Sequence, residues 1–455
     1  MKPSSSTSEP PAARGLFDGV LSRGPVAERV DDPAWLRAML DVEAALARAE
    51  ARAGVIAASD ADAIARACDT VEFDVAAIGR DAAGIGNPVG PLVRALTDAV
   101  EGSAAGQVHV GATSQDVLDT AAMLVARRAL EPLLADVAGA SNAAAALARA
   151  HRDTPAAGRT LLQQAVPIAF GLKAAGWMSG LDAAAASVRR ANERLAVQFG
   201  GAAGTLAALG DAGLAVLGHL AEELGLEEPA LAWHTERTRV GELAGALGVA
   251  AGAIAKPARD VTLLAQTEVA EAREGASGGS STLPHKRNPV AAVAALGCAM
   301  QAPGLTSTLL ASMVQEHERA AGAWHAEWRP LTELLLTVGS AASWLRECLE
   351  HLELDEDRIR ANLDLSGGAI MTERVAMALT PSVGRLAAHD LIERAALDAA
   401  TSGRPLVDAL SELPDVAAVL DRAALEQLFD PAGYLGSAGA FVDRALRAHE
   451  SGGPA

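Results

Sequence analysis

Residues 240–274 read VGELAGALGVAAGAIAKPARDVTLLAQTEVAEARE and predict one long α-helix. Apolar side chains recur every three, four or seven residues: Val240, Leu243, Leu247, Ala251, Ile254, Val261 and Leu264. Such a helix would be more than about 45 Å long if it were continuous. Pro257 predicts a kink within it, because proline lacks a backbone donor. Helices of this length usually belong to bundles, often bundles shared between subunits.

The composition of the whole chain also favours helices. Of the 455 residues, 50% are hydrophobic but only 3% are aromatic, so the apolar mass is mostly Ala, Leu and Val. These small side chains suit closely packed helices, whereas β-sandwiches and barrels need β-branched and aromatic strand residues. No alternation of apolar and polar residues is long enough to build a sheet. We therefore expect an all-α fold.

The spacing of helical segments predicts a tail and three domains. Residues 1–14 are rich in Ser and Pro and lack an apolar stretch, so we expect a disordered lead-in and not a signal peptide. Short helical segments fill residues 15–111, very long ones fill residues 112–354, and short ones return over residues 355–455. The sequence thus predicts an N-terminal helical domain, a central long-helix bundle and a C-terminal helical domain.

The charge and the cysteines limit the partners and the compartment. The chain has 38 basic and 57 acidic residues, and its net charge of −19 repels phosphate backbones and anionic lipid. We therefore expect neither nucleic acid nor a membrane surface as a partner. Cys68, Cys298 and Cys348 are far apart, which fits neither a disulfide framework nor a cysteine zinc site and favours the cytoplasm.

An uncharged run from Asn288 to Gln315 resembles a membrane span in length alone. Gln301, Pro303 and several hydroxyl side chains interrupt it, and Ala is its commonest residue, with few Leu and no Ile or Phe. We therefore expect a buried central helix of a bundle. GxGxxG, Walker A and HExxH motifs are absent, so we expect no cofactor and no metal ion.

The sequence GASGGSSTLPHKRNPV, residues 275–290, is the strongest local signal. Its glycines and hydroxyl residues form a mobile, donor-rich loop that Lys286 and Arg287 follow at once. Such a loop between two apolar helices can close over an anionic substrate and bring a serine to it. A flexible, solvated turn with a basic end explains the composition equally well.

A second signal is VHVGATSQDVLDT, residues 108–120. Thr113 or Ser114 is suited to cap the helix that follows, with Asp116 in a capping-box position. A helix N-terminus also binds carboxylates and phosphates, so capping and substrate binding are compatible. His109 is an ordinary polar turn residue by default.

A third signal is GRTLLQQAVPIAFG, residues 158–171, in which Gln163 and Gln164 interrupt an apolar run. Buried amides need partners, which other helices or a ligand could supply. Two weaker groups, Trp233–His234 with Arg237 and residues 316–319, fit an ion-paired helix face better than a site.

These three segments resemble the shared regions of the fumarase/aspartase superfamily. GGSSTLPHKRNP resembles the signature GSSxMPxKxNP, with Leu283 in the Met position. GATSQDVLDT and GRTLLQQAVP resemble the other two regions, in the same order. LFDPAGYLGSAGAFVDRAL near the end is similar to the C-terminal domain of the adenylosuccinate lyase-like branch, and ERAAGAWHAEW resembles its cycloisomerase members.

The resemblance implies an all-α chain of three domains that forms a homotetramer, with each active site built from three subunits. It also implies a small carboxylate substrate and addition or elimination across a carbon–carbon double bond through an aci-carboxylate carbanion. Ser280 matches the catalytic serine, and Lys286 and Asn288 match substrate and intermediate contacts. The carboxylate-binding positions match Thr113 and Ser114. Further candidates for holding substrate are His109, Gln163 and Arg319.

Leu161 departs from the pattern, because adenylosuccinate lyase-like members carry a proton-donating His there. Expelling an amine or hydroxide needs a general acid worth about 10²–10⁴ in rate. A carboxylate, whose conjugate acid has a pKa of about 4, needs no proton at pH 7. We therefore expect lactonisation of a polycarboxylate by its own carboxylate. The alternatives are adenylosuccinate lyase-like elimination that releases fumarate and a non-enzymatic structural role.

Overall fold

The computed structural model describes residues 15–275, 278–279, 283 and 286–452, the pair 278–279 by its backbone alone. Within these residues nineteen α-helices accompany six short strands, which confirms the all-α fold. The helices of the first half are α1 (Asp18–Leu21), α2 (Asp32–Arg52), α3 (Ala58–Thr70), α4 (Val75–Ile85), α5 (Val89–Ala99), α6 (Ser114–Ala150), α7 (Phe170–Glu193) and α8 (Gly213–Leu224). Those of the second half are α9 (Thr238–Leu264), α10 (Val290–Ala299), α11 (Ala302–Ala311), α12 (Ala323–Glu350), α13 (Glu356–Leu363), α14 (Thr372–Val383), α15 (Arg385–Ser402), α16 (Leu406–Ser411), α17 (Pro414–Ala417), α18 (Arg422–Leu428) and α19 (Ala438–Glu450).

The strands form three two-stranded antiparallel ladders. The first joins β1 (Pro155–Thr160) to β2 (Gln163–Ala169), the second joins β3 (Ala272–Glu274) to β6 (Leu352–Leu354), and the third joins β4 (Gly278–Gly279) to β5 (Arg287–Asn288). The expectation that no sheet forms is wrong at this small scale. The two longest strands, β1 and β2, do not alternate between buried and exposed residues, and the others have only two or three residues, so no period-2 pattern is visible in the sequence.

Contacts divide the chain into two compact units. The first comprises residues 15–137, 184–255 and 294–344, and the second comprises residues 138–183, 256–293 and 345–452. The boundaries fall inside the long helices α6, α7, α9, α10 and α12. The predicted boundaries of the tail and the three domains stay a prediction.

Helix α2 is the centre of packing in the N-terminal part of the first unit, where it contacts α3, α4 and α8. The sequence predicts its ends from Asp32–Pro33 and Gly54. In the structure Asp31 caps the helix, since its carboxylate accepts a hydrogen bond from Ala34 N at 2.8 Å. Gly54 follows the helix with φ 74°, a conformation that glycine adopts readily. Both predicted ends are confirmed to within one or two residues.

The C-terminal helices of the second unit have an apolar core of their own. It joins α14, α15, α16 and α18 through Val375, Leu379, Leu391, Leu406, Leu410 and Leu425. None of these side chains is more than 5% exposed. Burial of such Leu and Val side chains stabilises a fold by about 1.5–3 kcal/mol each.

The long helix predicted over residues 240–274 ends early. Helix α9 runs through Pro257 but stops at Leu264, and the chain then turns with Ala270 at φ 52°. Glu271 N donates to Leu264 O at 2.9 Å and closes this turn. The apolar spacing itself stops at Leu264, which is the local reason that the helix does not continue.

The uncharged run folds as two helices, α10 and α11, separated at Met300 and Gln301. By length and composition alone, Val290–Ala311 would suffice to cross a membrane, with mean hydropathy 1.3. One such segment is weak support for a membrane protein, because core helices have the same composition. Only 39% of the apolar window is buried, so the expected complete burial is not reached within one chain.

Candidate active site

The segment 108–120 places several predicted residues at the start of α6. Asp116 Oδ2 accepts a hydrogen bond from Thr113 N at 3.0 Å, which is the reciprocal bond of a capping box. Helix α6 begins at Ser114, directly after Thr113. Among the described residues, no hydrogen bond to the amide groups of Ser114 and Gln115 is present. These two donors, at the positive end of a long helix, suit a carboxylate.

Asp116 fixes this corner of the first unit. Its side chain is 2% exposed and also accepts hydrogen bonds from Gly200 N at 3.0 Å and Gly201 N at 2.9 Å. His234 Nε2 lies 2.7 Å from Asp116 Oδ1. The carboxylate is therefore fully occupied by protein donors and acts on the site by holding the helix start in place.

Arg319 reaches the same corner from the loop before α12. Its Nη1 donates to Gln115 Oε1 at 3.0 Å, and its Nη2 donates to Ala202 O at 2.8 Å. Gln115 is completely buried, and its Nε2 donates to His234 O at 2.8 Å. The structure thus brings the predicted cation Arg319 and the predicted helix N-terminus into one hydrogen-bonded network.

A second, buried network of charged side chains lies one turn further along α6, at Asp119. Arg237 donates to Asp119 Oδ2 at 2.7 Å and to Glu327 Oε2 at 2.5 Å. Trp324 Nε1 donates to Asp119 Oδ1 at 2.9 Å. Removing one member of such a buried network leaves an uncompensated charge, which costs about 3–5 kcal/mol. The predicted ion pairing of Arg237 is confirmed, but its placement on a helix face is wrong, because this side chain is buried and precedes α9.

His109 pairs with a residue that the sequence reasoning missed. Its Nδ1 lies 2.7 Å from Oε1 of Glu43, which is 1% exposed on α2. Burial alone would lower the pKa of His109, but the charge and hydrogen bond of Glu43 outweigh it, with a further contribution from Asp116, and the pKa is raised. The available signal was a glutamate at an apolar position of α2, between Leu40 and Leu46.

The segment 158–171 is a β-hairpin of the second unit. Thr160 pairs with Gln163 across a tip made of Leu161 and Leu162, whose φ values are 51° and 65°. The tip side chains are 97% and 75% exposed. Leucine at positive φ costs about 1–2 kcal/mol per residue, so this tip is both strained and apolar. Gln163 is exposed beside it.

The base of the hairpin is firmly held. Arg159 makes two hydrogen bonds to the buried carboxylate of Glu271, at 2.9 Å and 2.5 Å. Gln164 Nε2 donates to Asn362 O at 2.7 Å. The prediction that amides in this run need partners is confirmed for Gln164. Gln163 is exposed, and its contact with a ligand stays a prediction.

The loop of residues 275–290, called the signature loop because it resembles the superfamily signature, is described only in part. Ser280 lies outside the described residues. Gly279 pairs with Arg287 and Gly278 pairs with Asn288 in the β4–β5 ladder. Lys286 is exposed and Asn288 is half-buried.

The two ends of this loop are joined through Glu274. Its buried carboxylate accepts hydrogen bonds from Ala291 N at 3.1 Å and Ala292 N at 2.8 Å, at the first turn of α10. The residue before the loop therefore caps the helix after it.

The predicted site residues fall into two groups. His109, Thr113, Ser114 and Arg319 belong to the first unit, and Gln163, Lys286 and Asn288 belong to the second. In the first unit, the network through Asp116 and Gln115 links the helix start to Arg319. This corner contains helix amides and a guanidinium, which are groups that bind carboxylates in proteins.

Comparisons with known proteins agree with this chemistry. A family model described as "Lyase" matches residues 22–304, and one described as "Adenylosuccinate lyase C-terminus" matches residues 368–445. The 3-carboxy-cis,cis-muconate cycloisomerase of Bradyrhizobium diazoefficiens is 48% identical, over 95% of this chain and 97% of the relative. The nitrosuccinate lyase of Streptomyces davaonensis is 44% identical, over 97% and 95%.

A solved structure extends the similarity to the fold. The 3-carboxy-cis,cis-muconate lactonizing enzyme from Pseudomonas putida is 42% identical and has a TM-score of 0.91, covering 96% of this chain and 99% of that one. Proteins this similar over nearly the whole length belong to one family. The chain therefore belongs to the lyase family of the fumarase/aspartase superfamily, with an adenylosuccinate lyase type of C-terminal region.

Proposed function

We propose that this protein is a cycloisomerase that closes 3-carboxy-cis,cis-muconate to a carboxymuconolactone. The single observation that carries the choice of a reaction without a general acid is Leu161, at the position where the resemblance implies a proton donor in lyases that expel an amine. The names of the relatives from Bradyrhizobium and Pseudomonas support the choice of substrate.

The proposed reaction needs no external leaving group. One carboxylate oxygen of the substrate forms a C–O bond to a carbon of the conjugated double bond. The displaced electron pair moves into the neighbouring carboxylate and gives an aci-carboxylate. Ser280 then donates a proton to the carbanion carbon, and in the reverse direction it removes that proton. Lys286 and the amides at the start of α6 stabilise the dianionic group.

Local positive charge supports a trianionic substrate in a protein whose net charge is −19. His109 has a raised pKa because Glu43 outweighs the effect of burial. Arg319 and the N-terminus of α6 contribute further positive potential in the same unit. Such local fields attract and orient anions even when the net charge repels them. Gln163 and Asn288 would complete the substrate contacts.

We also propose a homotetramer with shared active sites. The uncharged α10–α11 region exposes Val293, Met300 and Leu310 at 55%, 65% and 47%, and large apolar patches on soluble proteins usually mark interfaces. Leu161 at the hairpin tip is 97% exposed, so within one chain it has few neighbours. Packing of α10 and α11 from several copies into one bundle would bury the apolar surface of these helices. The hairpin tip at Leu161 would then contact the active site of a neighbouring subunit.

The compartment that we propose is the cytoplasm. Cys68, Cys298 and Cys348 are free and buried. Burial raises the pKa of Cys298 to about 11, so its thiol stays protonated and unreactive. Reduced, structural thiols of this kind are typical of a reducing compartment.

Elimination of nitrite from a nitro-dicarboxylate is the second candidate. A relative at 44% identity is named nitrosuccinate lyase. Nitrite is a weak base that leaves without a proton, so Leu161 does not separate this reaction from lactonisation. Adenylosuccinate cleavage is less suitable, because a purine amine needs protonation to leave.

Parallel assays with three substrates test the proposal. Purified protein is mixed separately with 3-carboxy-cis,cis-muconate, nitrosuccinate and adenylosuccinate, and diene loss, nitrite release and fumarate release are followed. We expect diene loss with a kcat/KM at least about 100-fold above the other two reactions, within the ordinary range for enzymes. Faster nitrite or fumarate release would overturn the assignment.

A further inference from the structure

Glu43 is a carboxylate buried in an apolar helix face. It is 1% exposed on α2, and one of its oxygens, Oε2, has no hydrogen-bond partner among the described residues. A buried carboxylate is costly unless it is paired. Within the described part of the chain, its hydrogen-bonded partner is His109, at 2.7 Å between Oε1 and Nδ1.

His109 is itself held in an unusual conformation. Its φ of 63° lies in the left-handed region, which a non-glycine residue adopts at a cost of about 1–2 kcal/mol. Its side chain remains 17% exposed, although its partner is almost completely buried. The contact to Glu43 occupies Nδ1, so the ring has only Nε2 left for a ligand.

We propose that Glu43 is a positioning residue that holds His109 as an imidazolium and directs its Nε2–H to one carboxylate of the substrate. This inference rests on the proposed function and names the residue that prepares one of its carboxylate contacts. Glu43 accepts the Nδ1–H hydrogen bond, which fixes the ring about its axis. The remaining Nε2–H is then a charged donor, the kind of group that binds carboxylates strongly.

The surrounding charges agree with a protonated ring. The groups that act on His109 are Glu43 on α2 and Asp116 on α6. Burial alone would lower the pKa of His109, but both carboxylates raise it and their effect prevails. A neutral ring would present a lone pair at Nε2 whenever Nδ1 carries the proton, and this lone pair repels a carboxylate.

Glu50 lies about two turns after Glu43 on the same helix. Burial, followed by the charge of Glu43, raises the pKa of Glu50 to about 8. At pH 7 Glu50 is therefore mostly neutral and adds little negative charge beside the contact between Glu43 and His109.

Glu43→Gln tests the proposal, because it keeps the shape and an acceptor oxygen but removes the charge. We expect KM for 3-carboxy-cis,cis-muconate at pH 7.5 to rise about tenfold while kcat stays within about threefold, as for loss of a binding contact. As the pH increases, we expect KM to begin to rise at a lower pH in the variant than in the wild type, because His109 of the variant loses its proton earlier. Glu43→Asp, which restores the charge, should recover part of the affinity.

A double-mutant cycle with His109→Gln separates positioning from a structural role. If Glu43 acts through His109, adding Glu43→Gln to His109→Gln should change KM by less than about twofold. A full tenfold further loss in the double variant would overturn the proposal, as would an unchanged KM in Glu43→Gln. Glu50→Gln is the matched control and should leave KM within about twofold, because it resembles the neutral acid.

Histidine NMR of substrate-free protein distinguishes failure of this inference from failure of the proposed function. With ¹³C-labelled histidine, the His109 signal is assigned by its loss in His109→Gln. We expect it to titrate above the usual value of about 6.5 in the wild type and at a lower pH in Glu43→Gln. Identical titration in the two proteins would overturn the inference, whatever the substrate. Normal titration shifts with no lactonisation by the wild type would overturn the proposed function instead.

Discussion

The proton that a single side chain holds or lacks determines its role in this protein. Leu161 has no exchangeable proton at a place where an elimination of an amine would need one. His109 and Glu50, in contrast, hold protons at higher pH than free side chains do, for opposite reasons. Carboxylates stabilise the charged form of His109, whereas burial destabilises the charged form of Glu50.

Leu161→His tests the leaving-group reasoning. A carboxylate needs no general acid, so a proton donor at the hairpin tip should leave the rate of lactonisation within about threefold or lower it. Steady-state kcat with 3-carboxy-cis,cis-muconate measures this directly. Leu162→His, one residue along the same tip, controls for the polarity of the substitution. A rise of tenfold or more in Leu161→His alone would contradict the interpretation of Leu161.

Glu50→Gln should change how stability depends on pH. The folded protein keeps the Glu50 proton from pH 4.5 up to about 8, whereas the unfolded chain loses it near 4.5. The folded state thus binds more protons in that window, and its free energy of unfolding falls as pH rises, by at most about 1.4 kcal/mol per pH unit. Gln removes this loss, so the variant should gain Tm relative to the wild type at pH 8 but not at pH 5.

Thermal melts at the two pH values give this comparison. Glu72→Gln, an exposed glutamate on the same unit, should melt like the wild type at both. An equal Tm difference between Glu50→Gln and the wild type at pH 5 and pH 8 would contradict a raised pKa of Glu50.

Helices and turns differ in how far the sequence predicts them. The ends of α2 are predicted from Asp32, Pro33 and Gly54, which act within a few residues, and the structure places the cap one residue earlier, at Asp31. The hairpin at Leu161 could not be predicted, because its two-residue turn has leucines at positive φ, where tight turns normally have Asn or Gly. Its base is held by long-range contacts, such as Arg159 to Glu271, that no local pattern contains.

Glu274→Gln tests the contact that joins the ends of the signature loop. The carboxylate caps α10 through two amides, and a cap of this kind contributes about 0.5–2 kcal/mol. Gln can accept only through one oxygen, so we expect Lys286 and Asn288 to be held less firmly and kcat to fall about tenfold. The circular dichroism spectrum should not change.

Glu353→Gln is the control for this variant, since Glu353 lies on the strand paired with β3 but is 53% exposed. It should keep kcat within about twofold. Equal effects of the two substitutions would show that the cap at Glu274 has no special role.

The whole molecule illustrates what a sequence can and cannot predict. Ala-rich composition and helical periodicity predict the all-α class, which the structure confirms, whereas the substrate contacts that the three motifs indicate stay a prediction. The contact of His109 with Glu43 could not be predicted, because it joins α2 to a loop more than sixty residues later and depends on tertiary packing. The exposed apolar surface of α10–α11 was expected to be buried and is not buried within one chain, which is the main reason to propose an assembly.

Val293→Asp should disrupt the proposed tetramer. Val293 is 55% exposed in the single chain, so the substitution costs the isolated fold little but places four charges in the shared bundle. Light scattering should give four times the 46.2 kDa of the chain for the wild type and less for the variant, with loss of activity. Leu397→Asp, at 70% exposure on α15, should remain tetrameric. A monomeric and active wild type would contradict the assembly.

The most direct measurement is NMR and mass spectrometry of the product formed from 3-carboxy-cis,cis-muconate in D₂O. Intramolecular addition followed by protonation from Ser280, whose hydroxyl exchanges with solvent, predicts a lactone isomer of the substrate with one deuterium on the new C–H carbon. Ser280→Ala should form this product at a rate lower by orders of magnitude, about 10²–10⁴. A product that has gained or lost a small molecule, or a lactone without deuterium, would contradict the proposed mechanism.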